Sequence, residues 1–181
     1  MKSNKRIQIN QKENETVIEI VPINEASKTT LLLVWLIVWT LCGIVVFSQF
    51  FSNLSKEEKL MMAVWMAFWA YFEYKISSVY LWRENGKEKI TLNNDSIIYS
   101  QIISGKENAK EYIIENISDL KTIEFGKNNF SESFQNSYWV KGNESVYFTH
   151  LSQKIGLGLQ LNKDEAQQVL QAIAKRLKKK K

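Results

Sequence analysis

The stretch TTLLLVWLIVWTLCGIVVFSQFFSNL, Thr29 to Leu54, contains no ionisable side chain other than the thiol of Cys42. An α-helix needs about 20 mostly apolar residues to cross the hydrocarbon of a bilayer, and Leu31 to Phe51 supplies that length. A membrane-spanning helix is therefore expected here. Whole-chain averages conceal it, because a mean hydropathy of -0.26 and 45% hydrophobic residues are values of an ordinary soluble domain. A secretory signal is the competing reading of an apolar block near the start. Its apolar core is usually about 7 to 15 residues long, and no small-x-small cleavage site follows Phe51.

A second apolar stretch runs from Leu60 to Trp82 and is interrupted by Glu73 and Lys75. Charges near a helix centre cost about 2.5 to 3.5 kcal/mol each, so their depth decides whether the segment spans. The stem of Lys75 is long enough to carry its ammonium to the headgroups. Glu73 has Thr40 and Ser77 as candidate hydrogen-bond donors; an ionisable group at membrane depth is a candidate site, while the few residues between Glu73 and the polar exit favour an interfacial carboxylate close to the headgroups. VWLIVWT at Val34 to Thr40 recurs as VWMAFWA at Val64 to Ala70, with Trp35/Trp39 and Trp65/Trp69 each sharing a helix face. Two antiparallel spans are expected over residues 30–82, with the tryptophan pairs at interfaces in opposite leaflets. Trp35, Trp39, Trp65, Trp69, Glu73 and Lys75 are the membrane-interface candidates.

Basic flanks orient this hairpin. Lys12, Lys28, Arg83, Lys87 and Lys89 lie outside it, against Lys56 and Lys59 in the connecting loop. By the positive-inside rule both termini face the cytoplasm.

From Arg83 the composition changes to that of one small domain. KEKITL, SIIYSQII, KEYIIE, LKTIEF, SYWVK, SVYFTH and KIGLGLQL are short and rich in β-branched and aromatic residues, with turn formers between them. Seven antiparallel strands are expected. Ala166, Val169, Leu170, Ile173 and Leu177 then fall on one helix face, and Asn162 with Glu165 forms a capping box at its start. The N-terminal arm, residues 1–29, holds one strand, TVIEIV at Thr16 to Val21. It is a candidate to join a sheet edge, behind a polar lead from Lys2 to Asn14 that is expected to be mobile.

Seven strands followed by one amphipathic helix, preceded by the VWxxxW hairpin, resemble the bacterial pleckstrin-homology-like (PH-like) membrane proteins. GKEKITLNNDSIIYSQ is similar to the first two strands of that pattern, YIIENISDLKTIEF to the third and fourth, and IGLGLQLNKDEAQQVLQAIAKRL to the last strand and helix. The resemblance implies an α+β fold: a PH-like antiparallel barrel or sheet over residues 83–181, capped by the helix and carried by a two-helix transmembrane hairpin. It implies location in the bacterial inner membrane and a role in binding or assembly rather than catalysis. Membrane lipids, a membrane-protein partner or a second copy are the partners it suggests. Ser104 to Lys110 carries only Lys106 and Lys110, without the dense basic cluster of phosphoinositide-binding members.

Chemistry-bearing residues are sparse. No nucleophile elbow, phosphate loop or zinc-ligand spacing is present, so no catalytic residue, metal ligand or cofactor is assigned, and the chain is not expected to be an enzyme. Cys42 and His150 are the single cysteine and histidine. The basic residues cluster at the end, and Lys178, Lys179, Lys180 and Lys181 form a tail suited to an anionic lipid surface rather than a nucleic-acid groove. The polar loop Phe125 to Asn136, with Phe130 and Phe134, is the other candidate binding surface. The rival function is a subunit of an oligomeric channel or transporter that uses Glu73.

Overall fold

The structure, a computed structural model, describes residues 6–122 and 137–178. It is α+β and divides into two compact units, Met1–Ile23 with Asn85–Lys181, and Asn24–Glu84.

The first unit holds the sheets. Strands β1 (Ile7–Gln11), β2 (Thr16–Ile20), β3 (Gly86–Leu92), β4 (Ser96–Ile103) and β5 (Lys106–Ile113) form one antiparallel sheet in that order. Strands β6 (Ile117–Thr122), β7 (Glu144–His150) and β8 (Gln153–Leu159) form a second antiparallel sheet. Alternation explains the core, since side chains two apart share a strand face. Ile18 and Ile20 of β2, Ile90 and Leu92 of β3, and Val146 and Phe148 of β7 are all buried in it.

A C-terminal helix packs against β6 and β7. Of its expected stripe, Ala166, Val169 and Ile173 are buried, and Leu170 and Leu177 pack partly against the core. Its capping box forms as the sequence requires: the Glu165 N–H donates to Asn162 Oδ1 at 2.8 Å, and the Asn162 N–H to Glu165 Oε2 at 3.0 Å.

Three expectations are corrected in this unit. The described strands form two separate sheets rather than a closed barrel, with no strand pairing joining them. SYWVK is not a strand; the Val140 N–H turns back to the Ser137 carbonyl, so its aromatic residues belong to a turn. The arm contributes two strands instead of one, because Ile7 and Ile9 alternate with polar residues in β1, within the lead expected to be mobile. The end of LKTIEF, residues 123–125, and the loop Phe125 to Asn136 lie outside the described residues, as do Lys179, Lys180 and Lys181.

The second unit is a pair of helices, α1 (Ala26–Ser48), continued by a 3-10 turn over Gln49–Phe51, and α2 (Lys56–Asn85); the C-terminal helix, Lys163–Lys178, is α3. Contacts between Asn24 and Glu84, and between Trp39 and Trp69, show that α1 and α2 run antiparallel. Glycine at position 43 permits their approach, because a Cβ there would overlap the Trp69 indole. Ala26–Phe51 is the one helical stretch among the described residues long and apolar enough to cross a membrane. The expected two-helix transmembrane hairpin is thus corrected to one membrane-like helix beside a second, less apolar one, since Lys56, Glu57, Glu58 and Lys59 at one end of α2, and Glu73 and Lys75 further along, dilute its apolar surface.

The helical unit is an insertion between neighbouring strands. β2 and β3 pair directly, with Ile20 opposite Glu88, although the whole of α1 and α2 lies between them in sequence.

Candidate functional site

Two polar centres stand out, one in each unit. The first grows from the alternation of KEKITL. Lys87 and Lys89 point away from the core, so Glu88 must point with Ile90 and Leu92 into it. Glu88 is fully buried.

A buried carboxyl needs donors, and two other strands supply them. The Tyr99 hydroxyl of β4 donates to Glu88 Oε1 at 2.6 Å, and Gln101 Nε2 donates to the Tyr99 oxygen at 2.8 Å. From the other sheet, the Leu159 N–H donates to Glu88 Oε2 at 3.0 Å. Gly158, at φ 71°, breaks the extended course of β8 just before this contact, a conformation that glycine adopts without steric penalty. Burial raises the Glu88 pKa despite these donors, and the like charge of Glu144 adds to the rise. Burial and the neighbouring Glu88 also push the Tyr99 hydroxyl upward.

Above this network lies an open cleft of about 280 Å³. Tyr99, Gln101, Asn108 and Lys110 form its wall on β4 and β5, and Glu144, Lys154 and Gly156 its wall on β7 and β8. Tyr99 stands opposite Lys110, and Gln101 opposite Asn108, in the β4–β5 register. Neither Glu88 nor this cleft is among the candidates expected from the sequence. The signal for Glu88 was present, since a charge at i with apolar residues at i+2 and i+4 of a strand must be buried and partnered; the cleft depends on strands distant in sequence.

The second centre contains the membrane-interface candidates. Trp35 and Trp39 stack with ring centroids 5.2 Å apart, and Trp39 lies 6.3 Å from Trp65. The Trp69 Nε1–H donates to the Trp39 carbonyl at 3.0 Å. These contacts bring the pairs to one level of the helix pair, which corrects the expectation of opposite leaflets. Antiparallel helices set middle against middle, and both pairs lie well inside their helices rather than at the starts. The Thr40 hydroxyl lies 2.8 Å from both Glu73 Oε1 and the Leu36 carbonyl, while Glu73 Oε2 is buried without a hydrogen-bond partner. Lys75 Nζ lies 5.6 Å from the centre of the Tyr71 ring.

The remaining candidates stand apart. Lys178 is exposed at the end of α3, Cys42 is exposed on α1, and His150 packs edge-on to Tyr112. No group of histidine, cysteine and carboxylate side chains suited to a metal ion occurs among the described residues. No protein-family model matches the chain, and a search of the curated proteins gives no significant match.

Proposed function

We propose that this chain is a two-pass protein of the bacterial inner membrane that holds a PH-like α+β module at the cytoplasmic face, where the module binds or assembles partners without catalysing a reaction. The observation that carries the reading is the pairing of β2 with β3. Ile20 lies opposite Glu88 in one sheet, so a chain that leaves at Ile20 through a membrane-spanning α1 must recross before Glu88. Only α2 is available for the return. Its 30 residues reach about 45 Å at the rise of an α-helix, against about 30 Å of hydrocarbon. The internal Thr40–Glu73 bond and the Trp69–Trp39 bond reduce the polar surface the pair would show to lipid.

The functional consequence is presentation. Anchoring at both ends of one strand pair keeps the sheet unit at the bilayer and raises its effective concentration toward lipids and membrane proteins. Lys178 and the three lysines after it add attraction to an anionic surface, about 1 kcal/mol per residue near it.

Labelling tests the arrangement. In a Cys42→Ser background, Lys12→Cys, Asn53→Cys and Asn116→Cys are treated with a membrane-impermeant maleimide on intact spheroplasts. Asn53→Cys is expected to react at once, and the other two only after permeabilisation. Release of the chain by alkaline carbonate, or reaction of Lys12→Cys without permeabilisation, overturns the reading.

One observation favours the channel or transporter reading instead. Glu73 Oε2 finds no donor within its own helix pair, as for a group that serves a polar path in an oligomer. Loss of ion flux in Glu73→Gln, with assembly retained, would select it.

A further inference from the structure

We propose that the cleft between β4–β5 and β7–β8 binds a small zwitterion that joins an oxyanion to a primary ammonium group. This deepens the binding reading above by giving the cytoplasmic module a ligand class.

The argument rests on three charges that share a small space without neutralising one another. Lys110 stands on the wall from β5, and Lys154 and Glu144 on the wall from β7 and β8. None of the three is in an ion pair among the described residues. Lys154 is nevertheless held in place, its Nζ 3.9 Å from the centre of the Tyr147 ring, which orients the ammonium by cation–π attraction. Glu144 is seated by the absence of a side chain at Gly156, where a Cβ would run into the Glu144 stem.

A simple anion suits the two lysines but meets repulsion from Glu144. A simple cation suits Glu144 and meets the reverse. A ligand carrying both charges satisfies all three groups, the oxyanion between Lys110 and Lys154 and the ammonium on Glu144, with Asn108 as a further donor. Size agrees with this chemistry. At roughly 30 Å³ per water-sized unit, a cleft of about 280 Å³ admits a molecule of the size of phosphoethanolamine or an amino acid. The β4 part of the wall is fixed in advance, because Gln101 is tied to Tyr99 and Tyr99 to Glu88.

Such a zwitterion is available free in solution or as the headgroup of an aminophospholipid, and the experiment separates the two. The full chain is purified in a neutral detergent and titrated calorimetrically with O-phosphoethanolamine, inorganic phosphate and ethylamine. Saturable one-site binding of O-phosphoethanolamine is expected, about tenfold or more tighter than either fragment. Lys110→Gln and Lys154→Gln should each weaken it about tenfold. Glu144→Gln should abolish the preference over phosphate, whereas Lys87→Gln, whose ammonium faces Glu19 on another surface, should change nothing. Unchanged melting temperatures establish that the variants are folded.

The titration is repeated with the chain in nanodiscs of phosphatidylethanolamine or of phosphatidylcholine. Competition in the first alone identifies the headgroup as the source; equal binding in both identifies the free molecule. Absence of saturable binding, phosphate binding as tightly as O-phosphoethanolamine, or binding that survives the three cleft substitutions overturns the proposal. None of these outcomes bears on the two-pass anchor, which is judged by labelling.

Discussion

The Tyr99 hydroxyl donates to Glu88 Oε1 over 2.6 Å, and the other oxygen of the same carboxyl accepts the Leu159 N–H of the facing sheet. One side chain on β3 therefore ties the neighbouring strand β4 to β8, which is distant in sequence. Apolar packing alone fixes the separation of two sheets less sharply than a hydrogen-bonded centre in low dielectric, where each group depends on the others.

Removal of this centre should cost more than an ordinary surface change. Glu88→Ala strands a hydroxyl and a buried N–H and is expected to destabilise the full chain by about 2 to 4 kcal/mol. Tyr99→Phe removes one donor and should cost about 1 to 3 kcal/mol. Denaturant unfolding in detergent, followed by near-ultraviolet dichroism, reads both. A loss within about 0.5 kcal/mol for Glu88→Ala, the range of a surface substitution, would show that the centre does not join the sheets.

Burial also gives Glu88 a pH signature. Its folded pKa is raised above the ordinary carboxylate value of about 4.3, so the folded chain keeps this proton to higher pH than the unfolded chain does. Its contribution is complete below that ordinary value and is lost as pH rises through the folded one. The stability of the native chain minus that of Glu88→Gln should therefore fall as pH is raised from about 4 toward neutrality. A rising difference would mean that the donors outweigh burial and hold the carboxyl ionised.

Gly43 and Trp69 make a comparable test in the helical unit. Any Cβ at position 43 meets the indole, and small residues at a crossing let helices approach where lipid offers no hydrophobic drive. Gly43→Leu should displace Trp69 from its bond to the Trp39 carbonyl and cost about 1 to 3 kcal/mol. A changed tryptophan emission maximum and a lower unfolding midpoint are the expected readouts.

Much of the architecture was legible because it is local. The stripe of α3, its Asn162–Glu165 cap and the turn-bounded strands β3, β4 and β5 all announce themselves within a few residues. Thr40 was a foreseeable donor to Glu73 for the same kind of reason, since two antiparallel helices offer few polar side chains at that depth. What stayed hidden is long-range. That the strand at Thr16 to Val21 joins the sheet was expected, but its partner β3 and their register lie across the entire helical unit, and no sequence pattern encodes them at that distance. SYWVK misled because its aromatic residues favour strands as strongly as those of SVYFTH do, and only the backbone bond from Val140 to Ser137 tells them apart.

The bond between Thr40 and Glu73 can be weighed directly. Hydrogen bonds between membrane helices average about 0.6 kcal/mol and reach about 1.7 kcal/mol, because the separated helices find other partners. Under the two-pass proposal, a double-mutant cycle of Thr40→Val and Glu73→Gln should give a coupling in that range, measured by reversible unfolding in mixed micelles. Zero coupling would mean that water rather than Thr40 satisfies the carboxylate.

Arg6 links the arm to the last helix. Its Nη1 donates to Glu165 Oε2 at 3.0 Å and to the Gln160 carbonyl at 3.3 Å, while Nε donates to the Val21 carbonyl at 3.1 Å. Glu165 thus closes the α3 cap and accepts the arm's arginine with the same oxygen. Asn162→Ala should cost about 1 kcal/mol, the usual worth of a cap, and act on α3. Arg6→Ala should free β1 from its anchor, and Arg6→Lys should rescue it only in part, since an ammonium cannot reproduce the planar fork that spans three acceptors. Amide hydrogen exchange separates the two effects: Ile7 to Gln11 should lose protection in Arg6→Ala while the core strand β3 keeps it. Equal loss in β1 and β3 would show instead that the arm unfolds only with the whole sheet.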